Sequence, residues 1–176
     1  MRYRLGPALI SADEIQARIR ELAAALSSDY RDRDLLVICV LKGAAIFWAD
    51  LVRRLTIPCQ NDFVAMESYG DGTTAQKAPR FTKAAGVNLT DRDVLIVEDI
   101  IDTGHTIVRL RELLQLQAPR SVAVCSLLDK VERREVATPI EYCGFIIPNV
   151  FVVGYGLDHA QQYRHLSHLA RLEPAF

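Results

Sequence analysis

The chain has no apolar run of the roughly 18 residues that a membrane span requires, and its first residues, Met1 to Pro7, lack the apolar core of a secretion signal. A cytoplasmic protein with no membrane contact is the expectation. It also has almost no net charge: 21 Lys and Arg stand against 22 Asp and Glu, for a formal charge of −1. That balance argues against a nucleic-acid partner held by bulk charge. The four cysteines, Cys39, Cys59, Cys125 and Cys143, form no CxxC pair. Cys39 and Cys125 sit in aliphatic runs, where a thiol packs as a small hydrophobe, so neither a disulfide framework nor a zinc site is expected. No GxxxxGK followed by Ser or Thr occurs, which removes a P-loop nucleotidase. Gly154 and Gly156 do not complete a GxGxxG either, because position 159 is His. Repeats and low-complexity segments are missing as well.

What remains is an ordinary globular composition, half hydrophobic and 24% charged over 176 residues, enough for one domain with a sizeable core. Ser11-Ala12-Asp13-Glu14 has the form of a capping box, and Ile15, Ile19, Leu22 and Leu26 follow at helical spacing. A helix over about 11–28 follows. Residues 35–40 read as a buried strand, and Leu41-Lys42-Gly43-Ala44 turns into a helix carrying Ile46, Phe47, Leu51 and Leu55 and ended before Pro58. Further strands are expected at 62–67, 92–97, 121–128, 142–147 and 150–153, with helices at 107–116 and, near the end, 159–166. Strand–helix alternation from Leu35 to Leu128 implies right-handed βαβ units and a parallel sheet. The segment 68–86 is polar and without a period, and so long a loop in a compact domain reads as a mobile lid over a site.

The chemistry concentrates in Val94-Leu95-Ile96-Val97-Glu98-Asp99-Ile100-Ile101-Asp102-Thr103-Gly104-His105-Thr106. Four aliphatics describe a strand buried on both faces, and carboxylates at its end are costly unless a cation or donor meets them. Ligands of open α/β sheets bind off the carboxyl ends of strands. The turn from Asp102 to Thr106 offers backbone N–H groups and two hydroxyls at a helix start, a favourable place for phosphate. A solvated turn with a capped helix would account for Asp102 and Thr103. It leaves three carboxylates within five residues unexplained. An anion cradle beside a diol- or metal-binding acid pair describes a site for a phosphorylated sugar.

This stretch resembles the ribose-phosphate motif of the type I phosphoribosyltransferases. Leu41-Lys42-Gly43, Ser68-Tyr69-Gly70, Leu127-Leu128-Asp129-Lys130 and the run Phe151-Val152-Val153-Gly154-Tyr155-Gly156-Leu157-Asp158 are similar, in order, to the hypoxanthine-guanine branch of that family. The resemblance implies an α/β fold of the type I phosphoribosyltransferase kind. Its central, mostly parallel sheet is flanked by helices, in a single domain over 1–176, with a small hood from the N-terminal segment and about 130–176. It implies phosphoribosyl pyrophosphate and a 6-oxopurine base as substrates, Mg²⁺ as cofactor, and a homodimer or homotetramer.

By the same resemblance, Thr103, Gly104, His105 and Thr106 cradle the 5-phosphate, and Glu98 and Asp99 face the ribose hydroxyls directly or through Mg²⁺. Asp102 is the proton acceptor and donor at purine N7. Lys42 and Gly43 contact pyrophosphate, in a loop whose peptide before the lysine is often cis, together with Ser68, Tyr69 and Arg164. Lys130 donates to the purine 6-oxo group, which mismatches the 6-amino group of adenine. Phe151 stacks on the base, Val152 offers backbone groups to its edge, and Asp158 lies by the base and joins Glu98 and Asp99 as a metal ligand. Ala44 and His105 depart from the commoner residues. Arg133 and Arg134 stay unassigned, although one arginine of that loop reaches pyrophosphate in relatives. His159, His165 and His168 lack a rigid i,i+4 pair and make a weak metal site. A transferase acting chiefly on xanthine, and an RNA-binding regulator on the same fold, are the rival readings. The near-neutral charge disfavours the second.

Overall fold

The computed structural model describes residues 2–67, 80–83 and 85–175. An N-terminal strand, β1 (Arg2–Ile10), leads into helix α1 (Ala12–Asp29). The capping box at its start is formed: Glu14 N donates to Ser11 Oγ at 3.3 Å, and Ser11 N donates to Glu14 Oε2 at 2.8 Å. Ile15, Ile19, Leu22 and Leu26 are buried along one face.

Then come β2 (Leu35–Leu41), α2 (Ala45–Val52), β3 (Gln60–Glu67), β4 (Arg80–Lys83), β5 (Asp93–Ile101), α3 (His105–Gln115) and β6 (Ser121–Asp129). After a 3₁₀ turn at Val131–Arg133 follow β7 (Tyr142–Ile146), β8 (Val152–Val153) and β9 (Leu169–Ala175). Six strands form one sheet in the order β4-β3-β2-β5-β6-β7, parallel except for the antiparallel β3–β4 edge. The α/β architecture is thus built on a parallel core of five strands. A second sheet, β1-β9-β8, is antiparallel and joins the two ends of the chain.

The pleat explains the core. Leu35, Val37, Leu95 and Val97 point to one face with α1 and α2 residues such as Ile19, Phe47 and Leu51. Leu36, Ile38, Val94 and Ile96 point to the other with Ile107, Leu110 and Leu114 of α3. Covered on both sides, β2 and β5 carry no polar side chain between Asp93, which opens β5 and is paired with Ser121 and Arg120, and their carboxyl ends, where the chemistry sits. Among the described residues no helix is long and apolar enough to cross a membrane.

Four sequence expectations shift. Strand β5 continues through Glu98 and Asp99 to Ile101, because β6 keeps pairing with it as far as Asp129. The acid pair therefore lies within the strand and not after it. Helix α2 stops at Val52, short of Leu55. No helix forms over 159–166: Ala160, Gln161 and Tyr163 take left-handed backbone at φ 50°, 64° and 75°, which a right-handed helix excludes. Inside the expected lid, Arg80–Lys83 pairs with β3, while 68–79 fall outside the described residues.

Candidate active site

The carboxyl ends of β2, β5 and β6 lie side by side, and each contributes a turn. At the end of β5, Gly104 adopts φ +92° immediately before α3. A Cβ there would approach Val136 O to 2.8 Å, so both backbone conformation and space require glycine. No side chain caps α3, which leaves its first N–H groups to meet an anion. A cavity of about 120 Å³ opens at this point, lined by Glu98, Asp102, Thr103, Gly104 and Thr106 with three isoleucines.

The segment after β6 braces this turn. Glu135 N and Val136 N both donate to Thr103 O, at 3.0 and 3.2 Å. Arg134 Nε donates to Asp102 O at 3.3 Å, and its Nη2 is paired with Asp129. His105 Nε2 stands 3.0 Å from Glu135 Oε2.

Asp102 projects toward two cations. Arg133 Nε lies 3.0 Å from Oδ1, and Lys130 Nζ lies 3.7 Å from Oδ2. The Lys130 side chain is buried, which is unusual for lysine and directs its ammonium at the few acceptors within reach. Within the charged run 129–135 only Asp129 and Lys130 are buried.

Glu98 and Asp99 are partly buried and hydrogen-bonded to each other. Burial, and then the charge of Asp99, raises the Glu98 carboxyl well above its usual range. Burial raises Asp99 too, against the hydrogen bonds from Glu98 and Ile100 N and the charge of Arg164. Glu98 Oε2 is buried without a hydrogen-bond partner among the described residues. These two acids are the side chains that could hold a divalent cation. Asp158 is not gathered with them: it pairs with Arg164 Nη2 at 2.6 Å and accepts from Gln161 N at 2.8 Å. Among the described residues no three His, Cys, Asp or Glu form a metal cluster. Two carboxylates, one with an unpartnered oxygen, fit Mg²⁺, which keeps waters and substrate oxygens as its other ligands.

The Leu41–Lys42 peptide is cis. It leads to Gly43, whose added Cβ would fall 1.7 Å from Asp99 Oδ2. Gly156, at φ +102°, in turn packs on the carbonyl of Gly43, where its own Cβ would come within 2.1 Å. Three motifs far apart in sequence therefore converge: the 42–43 turn, the acid pair, and the 154–158 loop with Arg164, whose Nη1 donates to Gly156 O at 2.6 Å. The Lys42 side chain is exposed.

Phe151 is 52% exposed, whereas Val152 is buried in β8 with its side chain in the core. Ser68 and Tyr69 lie outside the described residues. Two contacts were not legible in the sequence. Arg133 reaches Asp102 from a charged run that reads as solvated surface, and Tyr3 comes from the opposite end of the chain to stand near Phe151 through His159.

A family model described as phosphoribosyl transferase domain matches residues 11–160. A hypoxanthine phosphoribosyltransferase of Haemophilus influenzae is 43% identical over 167 residues, covering 93% of each chain. A hypoxanthine-guanine phosphoribosyltransferase of Mycobacterium avium is 46% identical over 172 residues, covering 94% of this chain and 85% of that one. The crystal structure of a hypoxanthine phosphoribosyltransferase from Staphylococcus aureus superposes with a TM-score of 0.92 at 38% identity, over 97% of this chain and 92% of that one. The chain belongs to the phosphoribosyltransferase family, in its hypoxanthine phosphoribosyltransferase branch.

Proposed function

We propose that this chain transfers the 5-phosphoribosyl group of phosphoribosyl pyrophosphate to N9 of hypoxanthine or guanine, releasing pyrophosphate and giving IMP or GMP, as a cytoplasmic enzyme of purine salvage. The observation that carries this reading is the position of Asp102. Its carboxylate lines a cavity suited to phosphate and stands 3.7 Å from the buried ammonium of Lys130. One acid thus spans a sugar-phosphate site and a cation suited to an oxo group.

Each residue then has a task. The backbone N–H groups of Thr103, Gly104, His105 and Thr106, with the two threonine hydroxyls, take the 5-phosphate. Glu98 and Asp99 orient the ribose hydroxyls. Lys42, Gly43, Ser68, Tyr69 and Arg164 take the pyrophosphate, which leaves with the electron pair of its bond to the anomeric carbon. Their donors and charge stabilise that leaving group. Lys130 donates to O6, Phe151 stacks on the ring, and Val152 and Asp158 meet the base edge. As N9 bonds to the anomeric carbon, Asp102 accepts the proton from N7. Mg²⁺ held by Glu98 and Asp99, and by Asp158 once it releases Arg164, would supply positive charge beside the ribose hydroxyls and pyrophosphate oxygens.

The protein is a single domain whose small sheet forms a hood over these strand ends, with 68–86 as its lid, and it works as a homodimer or homotetramer. The test is an assay with phosphoribosyl pyrophosphate, Mg²⁺ and hypoxanthine, guanine or xanthine in turn, following nucleotide and pyrophosphate. Nucleotide should form with hypoxanthine or guanine. No product with either would overturn the proposal, and turnover confined to xanthine would reassign the base.

A further inference from the structure

We infer that His159 is a positioning residue for the ring of Phe151, and that Tyr3 braces His159 from the N-terminal strand. This rests on the proposed reading of Phe151 as the base-stacking residue.

The backbone at Phe151 is held: Leu172 N of β9 donates to its carbonyl at 2.9 Å, and Val152 beyond it is buried. The ring is a different matter, because it is 52% exposed. An exposed phenyl samples several rotamers, and a base stacking on it would have to immobilise it. The ring of His159 stands perpendicular to it, with centroids 5.5 Å apart and an interplanar angle of 90°. That is the edge-to-face arrangement aromatic pairs prefer. Tyr3 packs on His159 in turn, at 4.7 Å and 63°.

His159 is itself well placed to transmit order. Its N–H and carbonyl are bonded to Gln162 O and Gln162 N at 3.2 and 3.0 Å. Its neighbour Asp158 is fixed by Arg164 and Gln161 N. Tyr3 lies opposite Pro174 in the β1–β9 pairing. Three rings therefore connect the small sheet to the stacking face. Among the described residues His159 joins no metal cluster, and its ring contacts account for its place.

The full-length enzyme with His159→Ala, His159→Tyr, Tyr3→Ala and Phe151→Ala separates the roles by steady-state kinetics. Loss of one aromatic contact of this kind should raise KM for hypoxanthine about two- to tenfold, with kcat and KM for phosphoribosyl pyrophosphate unchanged. His159→Tyr should restore most of the affinity, Tyr3→Ala should give a smaller shift of the same kind, and His159→Ala should add nothing to Phe151→Ala. An unchanged KM for the base in His159→Ala, with Phe151→Ala impaired, would overturn the positioning role and leave stacking intact. An unaffected Phe151→Ala enzyme would overturn both. Equal shifts for both substrates, or no recovery with tyrosine, would mark His159 as merely structural and also overturn the inference.

Discussion

The α-carbon of Gly43 lies against the carboxylate of Asp99, so that a methyl group there would sit 1.7 Å from Oδ2. The turn after β2 and the acid pair of β5 are therefore one unit, and glycine at 43 is what permits it. Gly43→Ala must push Asp99 aside by an ångström or more, or move the turn. Misplacement on that scale costs about 10²-fold in rate. The variant should fold, since the clash lies at the strand ends and outside the core. Its kcat/KM for phosphoribosyl pyrophosphate should fall by about that factor, and wild-type kinetics would show that the two elements do not act together.

Asp102→Asn keeps shape and removes the proton acceptor. General base catalysis is typically worth about 10²–10⁴-fold, so kcat should drop by that order while the protein stays folded. The neutral amide also leaves Arg133 and the buried Lys130 without their carboxylate partner. Turnover within a factor of two of wild type would remove Asp102 from the proton transfer.

Lys130→Met deletes a buried cationic donor in a shape-conserving way. Hydrogen bonds to charged groups are worth roughly 1.5–3 kcal/mol, so hypoxanthine should bind roughly ten- to a hundredfold more weakly. Discrimination against adenine should relax. The base competition assay checks this: unchanged preference would mean that some other group reads position 6.

The thiols carry a simple prediction. Burial, helped by the nearby charges of Glu98 and Asp99, pushes the Cys39 thiol up to about 12. Burial also pushes Cys125 up, and it raises Cys59 and Cys143 by less. A raised value means less thiolate, and thiolate is the reacting form. In the native protein at neutral pH, Cys39 and Cys125 should resist a thiol reagent, and the part-exposed Cys59 and Cys143 should react first. All four should titrate in guanidinium. Rapid native labelling of Cys39 would contradict its burial in β2.

The parts of the molecule legible in the sequence are those specified locally. The capping box and the helical spacing of Ile15, Ile19, Leu22 and Leu26 dictate α1, and the aliphatic run to Val97 dictates β5. The acid pair stood out because nothing in a buried strand calls for it. Less was legible where the decisive partner is far along the chain. β1 exists because residues 169–175 pair with it, with Arg2 opposite Ala175, and no short window records that pairing. The helix expected at 159–166 failed for a conformational reason: three residues there adopt left-handed backbone, which composition does not announce. Arg133 and Glu135 look like surface charges until the fold brings Asp102 and His105 to them.

Tyr155 and Asp50 offer a test of how the 154–158 loop is anchored to α2. The Tyr155 hydroxyl donates to Asp50 Oδ2, which also accepts from Gln16 Nε2 at 2.8 Å. Burial raises the phenol strongly, and the Asp50 carboxylate raises it further. Burial also pushes Asp50 up, but the hydrogen bonds from Tyr155 and Gln16, with Arg53, outweigh it and leave the acid below its usual value. The signs follow from linkage. The phenol's contribution is complete below its ordinary value near 10 and is lost as pH rises beyond it. The carboxylate's contribution is present above its ordinary value near 3.8 and is lost as pH falls through the depressed one. Tyr155→Phe removes one donor from the part-buried Asp50 carboxylate, which keeps Gln16 and Arg53, and should cost about 1–3 kcal/mol at neutral pH. The difference in thermal stability between wild type and variant should be widest across roughly pH 5–9 and close toward both extremes. A difference near zero at every pH would mean that the ring's packing, which phenylalanine keeps, and not its hydrogen bond to Asp50, holds the loop.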